Sequence, residues 1–171
     1  MEKNKHLNFQ DENISMSYEN FVIEIRCKSK KFEAELLKVQ KNEKLKKILS
    51  KINFLINEKT IEKKLYLSFL ITNNEEISEI NKKYRNKPYA TNILSFPSNE
   101  FQTLIKNKEK IKKNEIYFGD IVISMEKIIL EAFEEKKKVQ DHFLHLITHG
   151  ILHLIGYKHG SKREANKMEE V

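Results

Sequence analysis

"KKLYLSFLITNNEEISEI" (Lys63 to Ile80) changes its hydrophobic period part-way along. Up to Thr72 it is apolar-rich and contains Ser and Thr, as a strand does. From Asn73 onward the apolar residues Ile77, Ile80 and Tyr84 recur at three and four residues, as on one face of a helix. Asn73 stands where the period changes, with Glu76 three residues on, the arrangement of a capping box. Pro88 forbids the helix from continuing. A strand running directly into a helix is the unit of an α/β or α+β domain, and the rest of the chain repeats it.

On the N-terminal side, "FVIEIRCKS" (Phe21 to Ser29) alternates apolar and polar residues. A helix follows, with its stripe on Leu45, Ile48, Leu49, Ile52, Leu55 and Ile56. On the C-terminal side, "TNILSFP" (Thr91 to Pro97) and "YFGDIVIS" (Tyr117 to Ser124) are two further strands. Ser124 can cap a helix whose Ile128, Ile129, Ala132 and Phe133 face inward, and Asp141 can cap the next. Lys106 to Lys113, with five lysines and one glutamate, reads as a solvated loop, and Ser161 to Val171 as a short last helix. The expectation is an α/β (α+β) single domain with a small four-stranded mixed sheet and about five helices, over residues 21–171. Residues 1–20 are polar without periodicity and read as a flexible N-terminal extension.

Composition narrows the class. No apolar run approaches the ~20 residues that span a bilayer, and the first residues lack the apolar core of a signal peptide. The single cysteine, Cys27, permits no internal disulfide. A cytoplasmic protein without a membrane partner is the simplest reading. The net charge of +7 has two explanations: a polyanionic partner such as RNA, or codon bias, since lysine outnumbers arginine 29 to 3. Arg26, Arg85 and Arg163 are the only arginines.

Four of the six histidines fall within "HLITHGILHLIGYKHG" (His145 to Gly160). At ~100° per residue, His142, His145, His149 and His153 share an arc of about 80°, opposite Phe143, Leu144, Ile147, Ile151, Leu154 and Ile155. His149 and His153 stand one turn apart and can share an ion. Gly156 permits the left-handed turn that ends the helix, and His159 follows three residues later. Three imidazoles leave a fourth position for water, the layout of a catalytic rather than structural zinc site. His142, at the helix start, is expected at the surface, and His145 as a cleft or supporting residue.

Metzincin proteases use the same spacing with a glutamate after the first histidine as general base. Here that position is Gly150, which cannot take a proton, so peptidase chemistry is not expected.

"HGILHLIGYKH" resembles the H-G-x-L-H-L-x-G-Y-D-H signature of the YbeY family, bacterial endoribonucleases of rRNA maturation. "INKKYRNKPYATNILSFP" (Ile80 to Pro97), "GDIVIS" (Gly119 to Ser124) and "MEE" (Met168 to Glu170) are similar to further family blocks, in family order. The resemblance implies one zinc per chain on His149, His153 and His159. It also implies an essential arginine in a cleft, here Arg85, and action on rRNA, notably the 3′ end of 16S rRNA, with ribosomal components as partners. It gives no reason to expect DNA. A guanidinium suits this chemistry, because phosphodiester hydrolysis builds charge on phosphate oxygens.

Asn92 and Ser95, with Thr91, would edge the cleft or serve as ordinary strand polar groups; Tyr84 is expected in the core and Asp120 in a structural role. Lys158 stands where the family has Asp, and the family's last helix usually runs further than Val171. Both departures leave a weakened enzyme open. The competing readings are therefore an endoribonuclease, another metal hydrolase, and a ribosome-associated metal-binding factor.

Overall fold

The computed structural model describes residues 12–32, 36, 38, 41–60, 63–107 and 114–157. The strands are β1 (Glu12–Tyr18), β2 (Phe21–Cys27), β3 (Lys64–Thr72), β4 (Ile93–Pro97) and β5 (Glu115–Ser124). The α-helices described in full are α1 (Glu43–Thr60), α2 (Asn74–Arg85), α3 (Asn99–Asn107), α4 (Met125–Glu134) and α5 (Val139–Leu154). The strands form one mixed sheet in the order β1-β2-β3-β5-β4. β2, β3 and β5 run parallel, while β1 and β4 close the two edges antiparallel.

The sheet has five strands rather than four, because the expected flexible extension contains one. In β1, Ile14, Met16 and Tyr18 alternate with Asn13, Ser15 and Ser17, and pair in register with Ile25, Ile23 and Phe21. A short strand of alternating serines is marginal alone and gains its place from its neighbour's apolar face.

Strand alternation sorts the side chains onto two faces. One carries the buried Phe21, Ile23, Leu65, Leu67, Phe69, Ile71, Ile121 and Ile123, packed beneath α1 and α5. Each such side chain contributes roughly 1.5–3 kcal/mol on leaving water. The opposite face holds a smaller cluster of Ile77, Leu94 and Val122 under α2. Against β3, β5 carries one extra residue, pairing Tyr66 with Tyr117 but Leu67 with Gly119. The bulge turns Phe118 inward, where it meets Phe21 edge-on at 6.2 Å. Gly119 has φ 147°, and a Cβ there would lie 2.5 Å from the Phe96 carbonyl oxygen, so no other residue fits.

The anticipated caps at Asn73 and Ser124 form, the first only in part. Asn73 Oδ1 accepts from the Glu76 amide at 2.9 Å, but the Glu76 carboxylate accepts from the Lys28 ammonium and the Thr72 hydroxyl instead of closing the box. Ser124 accepts from the Lys127 amide at 3.3 Å.

Several expectations are corrected. α5 starts at Val139 with no side-chain cap, and Asp141 lies inside its first turn, paired with Lys44. That hydrogen bond, with the ammonium's charge, holds the Asp141 carboxyl below its ordinary range. On α4, Ile128 and Ala132 are buried as expected, but Ile129 is partly exposed and Phe133 is 82% exposed, because the sheet and α5 cover only one side. Tyr84 is exposed and touches Phe96 edge-on. Helix α3 is an addition, and Lys106 belongs to it. The rest of the lysine-rich segment and the expected last helix lie outside the described residues. No helix among the described residues is long and apolar enough to cross a membrane.

Candidate metal centre and its cleft

Helix α5 is buried nearly all round, since β4, β5, α1 and α4 all pack against it. Its end is set by glycine. Gly156 has φ 101°, a conformation that costs other residues dearly. The Tyr157 amide donates to the Leu152 carbonyl at 3.1 Å and the Gly156 amide to the His153 carbonyl at 3.0 Å, the two bonds of a Schellman ending. The turn brings the Tyr157 carbonyl back over the helix, where it accepts from His153 Nδ1 at 2.8 Å. With its proton on Nδ1, His153 presents the Nε2 lone pair. That atom lies 2.9 Å from His149 Nε2.

These two nitrogens are the described part of the expected ligand set. Their spacing, the tautomer fixed by a backbone carbonyl and the borderline imidazole donors all suit a zinc ion. No group of three or more His, Cys, Asp or Glu side chains converges among the described residues. The expected third ligand, His159, and its neighbour Lys158 lie outside them, as does Arg163.

The pair lies in a cleft of about 730 Å³ whose other wall is formed by the segment from Asn81 to Pro97. Arg85 ends α2, is exposed, and donates through Nη2 to the Ser95 carbonyl at 3.2 Å. Thr91, Asn92 and the buried Ser95 also line the cleft. Lys87 adds a second cation. No carboxylate is among the described lining residues. The acids lie elsewhere: the hollow on the opposite sheet face is lined by Glu76, Glu79 and Asp120. Asp120 accepts there from the Tyr117 phenol, which burial first and this bond second push above its ordinary range.

Two histidines differ from their expected places. His145 is exposed, with its ring 6.5 Å from that of His149, and does not line the cleft. His142 is not a surface residue: it is 6% exposed, with Nε2 3.0 Å from the Glu131 carboxylate. The His142 ring faces Glu131 of α4 rather than water.

Asn81 has a role that sequence reasoning did not assign. It is buried, and its Nδ2 donates to the Tyr89 carbonyl at 2.9 Å, pinning the loop that follows Arg85. The left-handed Asn86 (φ 58°) begins that loop, and its amide returns to the Asn81 and Lys82 carbonyls. The signal was an asparagine on the apolar stripe, four residues from Ile77. Asn81→Ala is expected to cost about 0.5–1.5 kcal/mol, because it removes a hydrogen bond made by a buried side chain. At roughly 2–4 °C per kcal/mol for a chain this long, calorimetry should show a clear fall in Tm. An unchanged Tm would mean that the loop holds itself.

A family profile described as endoribonuclease YbeY matches residues 25–171. The chain belongs to that family. It is 41% identical to the endoribonuclease YbeY of Bartonella quintana (strain Toulouse) over 108 residues, which cover 61% of this chain and 62% of that protein. It is 45% identical to the endoribonuclease YbeY of Bartonella bacilliformis over 105 residues, with the same coverage of each chain. The matched region thus spans about three fifths of these curated relatives. A solution structure of a Thermotoga maritima protein aligns with TM-score 0.45 and 23% identity, covering 76% of this chain and 80% of that one.

Proposed function

We propose that the chain is a zinc-dependent endoribonuclease acting on single-stranded RNA. The observation that carries the reading is one cleft lined both by His149 and His153, whose Nε2 atoms meet, and by Arg85, with no carboxylate among its described lining residues. His149 and His153 would hold the ion, with His159 as third ligand. Bound zinc supplies an acidified water and a Lewis acid for a phosphoryl oxygen.

The protein's own residues do the rest. The Arg85 guanidinium offers a permanently charged fork to phosphate oxygens, and its bond to the Ser95 carbonyl aims it. Lys87 adds charge that favours a polyanion. Among the described residues the cleft lining carries no acid to repel phosphate, and Gly150 stands where the peptidases have their carboxylate base.

Family membership supports rRNA as the substrate, at the 3′ end of 16S rRNA, in the cytoplasm and with ribosomal components as partners. A second reading, a ribosome-associated factor with weakened catalysis, is favoured by Lys158 beside the third ligand in sequence.

Elemental analysis of wild type and of His153→Ala tests the metal assignment. Wild type should carry about one zinc per chain and the variant should lose it. Equal metal content in both would refute the ligand set. Wild type incubated with single-stranded rRNA fragments, with and without chelator, separates the two readings: cleavage abolished by the chelator supports the nuclease, and binding without cleavage supports the factor.

A further inference from the structure

Glu131 lies on α4, outside the cleft, yet one of its oxygens touches both the histidine helix and Asn92 of the cleft's other wall. Oε2 accepts from His142 Nε2 at 3.0 Å and from Asn92 Nδ2 at 3.0 Å. A carboxylate oxygen has lone pairs for both donors. His142 belongs to the metal-ligand helix, seven residues before His149, where two turns bring the two rings to within ~20° of the same azimuth. Asn92 leads into β4, and its carbonyl accepts from the Ser124 amide at 2.9 Å. Three residues on is Ser95, whose carbonyl holds Arg85. A path of hydrogen bonds and short backbone therefore runs from the histidine helix through a single oxygen to the arginine.

Packing alone does not account for this arrangement. His142 Nδ1 is buried and has no hydrogen-bond partner. An apolar side chain would fill the position without that loss, so what the histidine adds is the bond to Glu131. Glu131 itself is 80% covered, and a carboxylate so placed needs donors.

We propose that Glu131 is a positioning residue that fixes the separation of the metal-holding histidines from the phosphate-holding arginine. It does so by tying α5, through His142, to the start of β4, through Asn92. The inference rests on the nuclease reading above, and its tests are divided so that each can fail separately.

The first test needs neither metal nor RNA. Denaturant midpoints are measured for His142→Phe, Asn92→Ala and the double variant. If Glu131 is the link, either single loss frees it to turn to solvent, and the double variant is hardly less stable than the worse single one. Additive losses would show two independent bonds and overturn the link.

The second test uses the zinc-loaded full chain on a single-stranded RNA oligonucleotide. Glu131→Ala should lower kcat by ~10–100-fold, the usual effect of misplacing a group by about an ångström, with KM and zinc content nearly unchanged. Glu131→Gln retains an oxygen that can accept both bonds and should recover most of that loss. Equal kcat for the Ala and Gln variants, or a loss that follows zinc content, would overturn the positioning role. If wild type cleaves no RNA, the nuclease reading falls, and the stability measurement alone decides the link.

Discussion

A Gly150→Glu variant, which restores the H-E-x-x-H pattern of the metalloproteases, is expected to melt roughly 10 °C lower than wild type or fail to fold, and to gain no peptidase activity. A Cβ at position 150 would lie 2.8 Å from Ile93 Cδ1, 3.1 Å from Ile121 Cδ1 and 3.1 Å from Ser95 Oγ. The position faces the sheet, not the metal pair one residue away. A glutamate would drive its stem into two isoleucine side chains and carry a charge among them. Overpacking costs about 1–3 kcal/mol and an uncompensated buried charge about 3 or more. At roughly 2–4 °C per kcal/mol, the sum is a shift of that size. Gly150→Ala is the informative control. Its methyl meets the far ends of flexible side chains, and alanine recovers about 1 kcal/mol of helix propensity, so its Tm should stay much closer to wild type. Calorimetry on the three proteins decides it. A Glu variant with wild-type Tm would mean that position 150 opens to the cleft, and the missing base would then need a reason other than space.

What was legible in the chain was whatever period and local chemistry encode. The apolar rhythm of β2, β3 and β5, the caps at Asn73 and Ser124, and the turn at Gly156 are each written within a few residues. So is the meeting of His149 and His153, because a spacing of four residues places two rings on adjacent turns. The misreadings share one cause. Period gives the azimuth of a side chain relative to its neighbours, but not what packs against that azimuth. The wheel grouped His142 with His149 and His153, yet His142 is buried with its ring against Glu131 of α4. The stripes that end in Tyr84 and Phe133 run past the edge of what covers them. β1 alternates over only seven residues, four of them polar, and forms a strand because β2 offers it a partner. The Asn92–Glu131–His142 bridge draws on residues 39 and 11 positions apart, so no local pattern could disclose it.

Arg85→Ala should separate stability from function more cleanly than any other substitution in the cleft. The side chain is exposed on the last turn of α2, with a hydrogen bond of 3.2 Å to the Ser95 carbonyl. That carbonyl lies in β4, which pairs with β5, so the strand does not depend on Arg85 for its place. A surface truncation of this kind usually changes stability by no more than about 0.5 kcal/mol, or about 2 °C in Tm. Zinc content should be unchanged, since the arginine and the histidine pair belong to opposite walls. The effect on cleavage is of another order. A guanidinium facing charge that develops on phosphate oxygens typically contributes ~3 kcal/mol in the transition state, about a hundredfold in rate. Arg85→Lys keeps the charge but not the fork: an ammonium is a point charge that cannot hold two oxygens in a plane, so it should recover only part of the loss. Single-turnover cleavage of a single-stranded RNA, measured beside Tm and zinc content for the three proteins, gives all the readouts. An alanine variant that cleaves at the wild-type rate would place the transition-state charge elsewhere, with Lys87 the next cation lining the cleft. One that melts far lower would show the bond to Ser95 to be structural.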